Sequence, residues 1–104
     1  MNHLVLFSPG PSWVAGKSID EQDAATLGAH LTALGGLFES GRLLFAGPFT
    51  AEDGGMLLLA ARDSDDARAT LERDPAVAAG LLSYAIKPVE TVFDAANGVA
   101  WSAV

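Results

Sequence analysis

Apolar positions fall into discrete segments, at residues 2–7, 19–38, 43–46, 55–61 and 81–93, and the spacing within each segment predicts its secondary structure. Residues 2–7 are mostly apolar and stop at Ser8-Pro9-Gly10-Pro11, which predicts a strand closed by turn residues. The Pro-, Gly- and Ser-rich stretch up to Lys17 predicts a loop carrying one large ring, Trp13. Ser18-Ile19-Asp20-Glu21 fits the capping box, in which a hydroxyl and a carboxylate three residues on satisfy free backbone donors, so a helix is expected from Ser18. Leu27, Leu31, Leu34 and Phe38 form its apolar stripe and Gly41 its stop. Gly28, Gly35 and Gly36 each cost about 1 kcal/mol relative to Ala inside a helix, and their presence predicts close packing there.

Leu43-Leu44-Phe45-Ala46 and residues 55–61 flank a Glu52-Asp53-Gly54 turn and read as a hairpin. Residues 64–73 predict a second helix, capped by Ser64 and halted before Pro75, and residues 81–93 the last strand. Strand, helix, strand, strand, helix, strand is the order of an α+β, ferredoxin-like βαββαβ domain, with both helices on one face of an antiparallel sheet. One domain is expected over residues 1–104, with a core at 1–93 and a tail at 94–104 that adds a short strand or an arm. Met56-Leu57-Leu58-Leu59-Ala60-Ala61 is apolar at every position, which marks a strand buried on both faces. Two helices cover only one face, so a second copy of the sheet is expected to cover the other, making a homodimer built as a dimeric α/β barrel.

Composition narrows the function. The 104 residues suffice for one core, and half of them are hydrophobic. No apolar run approaches the roughly 20 residues of a membrane span, so a soluble, cytoplasmic protein is expected, with no membrane partner. The formal net charge of −7, with six Lys and Arg in all, leaves no basic patch for nucleic acid or anionic lipid. The absence of cysteine excludes thiol nucleophiles, disulfides and thiolate metal sites. Two histidines without metal-ligand spacing predict no metal, and the lack of a phosphate loop or G-x-G-x-x-G pattern predicts no nucleotide cofactor. A small-molecule substrate or ligand remains.

Two motifs carry a resemblance. His30 in mid-helix leads to Gly41-Arg42-Leu43-Leu44-Phe45-Ala46-Gly47-Pro48, a G-x-L-x-x-x-G-P pattern, and Asp74-Pro75-Ala76-Val77-Ala78-Ala79-Gly80-Leu81 fits D-P-x-x-x-x-G-L. In this order they resemble the YCII-related (YciI-like) family of dimeric α/β-barrel proteins, from the first strand to about Phe93. The resemblance implies a dimeric ferredoxin-like barrel with His30 and Asp74 facing a pocket; one branch of the family removes chloride from chlorinated hydroquinones. The turn between Pro48 and Met56 is shorter than in many relatives, so the substrate class is not carried over.

Each residue also has a plainer reading. His30 follows Leu27 by three positions and precedes Leu34 by four, which aims it at the sheet, where it is either an acid–base residue oriented by a carboxylate or a hydrogen-bonded core-margin histidine. Asp74 before Pro75 is a natural helix N-cap, and a capping carboxylate still has an oxygen free for an imidazole. His3 lies on the Val5 and Phe7 side of the first strand, at the surface or lining a pocket. Trp13 plugs a core or lids a pocket, and Tyr84 belongs to the core or the pocket wall. Asp63, Asp65 and Asp66 suit the positive end of a helix dipole.

Three functions compete: a cofactor-independent enzyme using His30 and Asp74 for acid–base chemistry on a small aromatic or enolisable substrate, in the manner of a dehydrochlorinase, isomerase or lyase; a non-catalytic dimeric module that binds a small ligand or supports a partner; and a cofactor-free oxygenase.

Overall fold

The computed structural model describes residues 1–95 together with 98 and 99. Four strands, β1 (Asn2–Pro9), β2 (Leu43–Pro48), β3 (Gly55–Ala60) and β4 (Leu82–Val89), form an antiparallel sheet in the order β2-β3-β1-β4. Three helices, α1 (Ala24–Glu39), α2 (Ser64–Glu72) and the short α3 (Pro75–Ala78), complete the ferredoxin-like α+β plan. Pro48 and Pro88 both lie on edge strands, where a missing N–H costs no ladder hydrogen bond. The ladder of β4 ends at Val89, earlier than the sequence pattern suggests. Phe93–Asp94 (β5) then pairs with Gly98–Val99 (β6), a short antiparallel ribbon that joins the end of the expected core to the expected tail. Residues 96, 97 and 100–104 of that tail lie outside the described residues.

Register assigns the two faces. Val5 stands between Leu57 and Ile86, and Leu4 between Leu58 and Lys87. Val5, Phe7, Leu57, Leu59 and Leu82 are buried in one cluster with Ala67 and Leu71 of α2 and Ala76 of α3, and Leu27, Leu34 and Leu37 of α1 pack against it. Each fully buried leucine here contributes about 1.5–3 kcal/mol of transfer free energy. The opposite face carries Leu4, Leu6, Phe45, Met56, Leu58 and Ala85, with Leu6 at 40% and Phe45 at 46% exposure. A β-bulge between Leu43 and Phe45 switches faces within β2: Leu43 is buried under the helices and Phe45 pairs with Leu58 outside.

Local expectations need three corrections. Ser18 does not open the long helix: its N–H and hydroxyl donate to the Glu21 carboxylate around a 3-10 turn at Ile19–Glu21, and α1 begins after Asp23, whose carboxylate accepts from the Thr26 N–H at 2.9 Å. The chain breaks at Gln22, whose buried amide is held by Val14 and by the Lys17 carbonyl. Asp63, not Ser64, caps α2, accepting from the Asp66 N–H at 2.8 Å, while the Asp66 carboxylate accepts from the Arg62 N–H. Gly28, Gly35 and Gly36 meet nothing within 4 Å at the position of a Cβ, so no close packing requires them.

His3 differs most from its expected place. It is completely buried on the helix side of β1, and among the described residues neither ring nitrogen has a hydrogen-bond partner. An unpartnered buried polar group costs about 1–3 kcal/mol, so His3→Leu is expected to stabilise the fold, raising the thermal midpoint by about 4–8 °C per kcal/mol gained. A lowered midpoint in calorimetry would show that the imidazole is stabilising where it lies.

Candidate active site

The helical face that buries Leu27 and Leu34 also buries His30, the buried residue of α1. Asp74 arrives from the other direction. It caps α3, with Pro75 at the first helical position and its Oδ2 accepting from the Ala76 and Val77 N–H groups at 3.0 and 3.4 Å. Because α1 and α3 pack together, residues 44 positions apart in sequence meet: His30 Nδ1 lies 2.8 Å from Asp74 Oδ2 and 2.9 Å from Oδ1. Both side chains are nearly excluded from solvent, at 9% and 6% exposure. Phe7 meets the imidazole edge-on, with ring centroids 5.6 Å apart, and helps hold its orientation.

A carboxylate accepts but does not donate, so the neutral imidazole carries its proton on Nδ1 and presents a lone pair at Nε2. Among the described residues Nε2 has no hydrogen-bond partner. His30 lines a cavity of about 310 Å³ whose lining does not include Asp74. Its walls are Leu27, Leu31 and Leu34 of α1, Ala46 to Pro48 of β2, Gly54 to Leu57 of the hairpin and β3, Phe7, Leu82, and Ile19 and Asp20 of the 3-10 turn. Gly54 has a φ of 149° and packs its backbone against the Phe7 carbonyl, an approach that a Cβ would block. The wall is almost wholly apolar, which strengthens any electrostatic event at Nε2.

The YCII-related domain model matches residues 1–90. This chain belongs to the YCII-related family. No curated protein sequence matches it. Among solved structures, the chain is similar to 5-chloro-2-hydroxyhydroquinone dehydrochlorinase (TftG) from Burkholderia phenoliruptrix AC1100 in complex with 2,5-dihydroxybenzoquinone. The two share 21% identity and superpose with a TM-score of 0.68 over 86% of this chain and 94% of that one, a likeness that establishes a common fold.

Within this YCII-related fold, the lining of the His30 cavity does not include Trp13, Tyr84 or His3. Trp13 is half-buried against the core, and His3 lies inside it. The Tyr84 hydroxyl donates to Glu72 of α2; burial, then that hydrogen bond, push its pKa above the ordinary tyrosine value, so it holds its proton. Asp20, read from the sequence only as part of a cap, lies on the cavity wall because the Ile19 N–H donates to the Glu52 carbonyl at 3.0 Å, pinning the 3-10 turn to the hairpin. That long-range bond has no local signature. Among the described residues no group of three His, Asp or Glu side chains is placed to hold a metal ion, and no helix is long and apolar enough to cross a membrane.

Proposed function

We propose that this YCII-related protein is a cofactor-independent acid–base enzyme acting on a small aromatic or enolisable molecule. The observation that supports this reading is the His30 ring held at Nδ1 by Asp74 beside an apolar cavity that His30 lines. Nε2 removes a proton from a substrate carbon or hydroxyl. The electron pair so released delocalises into an adjacent carbonyl or ring. It then either expels a leaving group such as chloride or takes the proton back from Nε2 at another carbon, which makes the reaction an elimination or an isomerisation. Asp74 fixes the tautomer and offsets the positive charge that the ring gains on accepting the proton. The dehydrochlorinase named among the structural neighbours makes substituted hydroquinones and quinones the first substrates to test.

The open sheet face supports a further part of the proposal, that two copies pack through Leu4, Leu6, Phe45, Met56 and Leu58. A competing reading is a dimeric ligand-binding module without catalysis. Its support is that capping α3 already accounts for Asp74. Purified protein incubated with chlorinated and unsubstituted hydroquinones, quinols and lactones separates the two. Turnover that disappears in His30→Ala is expected, whereas binding without turnover across the panel would favour the module.

A further inference from the structure

We propose that Asp20 is a specificity-determining residue that turns anionic molecules away from the His30 cavity and admits uncharged or cationic ones. The inference rests on reading this cavity as the substrate site. Among the described residues, His30 and Asp20 are the titratable side chains on the wall, and no Lys or Arg lines it. A carboxylate or phosphate entering would lose hydration among Leu27, Leu31, Leu34, Pro48 and Met56 without gaining a cationic partner, a desolvation that is costly for any anion.

Asp20 adds a fixed negative charge to this apolar wall. Among the described residues its carboxylate takes part in no hydrogen bond or ion pair. Its position is held from both sides, by the Ile19 N–H to Glu52 carbonyl bond at 3.0 Å and by Glu21 closing on Ser18. A ligand that keeps its reacting atom at His30 Nε2 and reaches towards Asp20 therefore meets an acceptor. Hydroxyl, amide or ammonium hydrogens satisfy it, and a carboxylate repels it. The formal net charge of −7 acts in the same direction at longer range.

The probes are benzamide, benzylamine and benzoate, which share one ring and differ in charge, titrated while the His30 ring signals are followed by NMR. Benzamide and benzylamine are expected to bind, and benzoate to bind at least roughly fivefold more weakly, the factor for unit charges about 4 Å apart in water, which grows as the walls exclude solvent. Asp20→Asn, a change at an exposed side chain, should narrow the gap between benzamide and benzoate by about that factor and weaken benzylamine. Unchanged affinity ratios among the three probes in Asp20→Asn, with benzamide still perturbing His30, overturn the role of Asp20 and leave the cavity reading standing. If none of the three perturbs His30, the reading of the cavity as a ligand site fails, and the inference falls with it.

Discussion

Asp74→Asn is expected to lower turnover about 10²–10⁴-fold, the usual range for loss of a positioned acid–base group, while the fold survives. Asn caps helices about as well as Asp, so its carbonyl can keep the bonds from the Ala76 and Val77 N–H groups. Its NH₂ then faces His30 Nδ1, where Asp74 now provides an acceptor. At the Oδ2 position the Asn carbonyl can still accept from Nδ1, but an NH₂ in place of Oδ1 sets a donor against the Nδ1 proton, and the negative charge that offsets protonation of the ring at Nε2 is gone. His30→Ala should lose a similar factor. The double variant should lose little more than either single one, because two groups acting as a unit are strongly non-additive. Rates measured beside thermal midpoints decide the matter: if activity falls only in step with stability, or if the two losses multiply, Asp74 is a cap and nothing more.

A charge at Leu58 and a charge at its neighbour Leu57 are expected to have opposite kinds of effect. Leu58 pairs with Leu4 on one side and Phe45 on the other, in the middle of the open face. Leu58→Asp should leave a folded monomer. Leu57 is 1% exposed under the helices, and burying an unpaired carboxylate there costs several kcal/mol, a large share of the 5–15 kcal/mol that stabilises a typical domain. Leu57→Asp should not fold. Light scattering after gel filtration is expected to give about twice 10.7 kDa for the natural chain and about 10.7 kDa for Leu58→Asp, with helical and strand content retained. A natural chain that is monomeric at micromolar concentration would defeat the idea that a second copy covers the sheet.

The element order was legible in the sequence because each change of periodicity is punctuated. Ser8-Pro9-Gly10-Pro11 ends the first strand and Asp74-Pro75 opens the last short helix. The apolar run at 56–61 implied a strand buried on both faces; the structure buries Leu57 and Leu59 under the helices and leaves Met56 and Leu58 half-buried, and alternation alone could not tell Leu57 from Leu58. Only the pairing of β3 with β1, which places Leu57 opposite Val5, assigns them. Capping was harder to read. Ser18 and Glu21 close a 3-10 turn with the same residues that would open an α-helix, and what separates the two is Gln22 reaching back to Val14. Asp63 outcompeted Ser64 because a carboxylate one position earlier reaches the Asp66 N–H.

The His30 and Asp74 positions followed from a helix-face argument joined to a family resemblance, and the structure places the two side chains in contact. The cavity beyond them was not legible. Its walls come from α1, the hairpin and a loop held by one backbone hydrogen bond, so Asp20 does not advertise itself locally, and the motif ending at Gly47-Pro48 did not by itself place that stretch beside His30. His3 was misplaced for a related reason: strand alternation put it on the Val5 side, but that this end of β1 is completely covered is a property of the packed helices.

The most direct test of the account is the ¹⁵N spectrum of the His30 ring, recorded at a pH where the imidazole is neutral and repeated with a saturating hydroquinone. The account predicts a protonated Nδ1 and an unprotonated Nε2, with the Nε2 signal moving on ligand addition and the Nδ1-protonated tautomer less populated in Asp74→Asn. A neutral ring protonated at Nε2 in the natural chain, or an Nε2 signal indifferent to every ligand that binds, would contradict it.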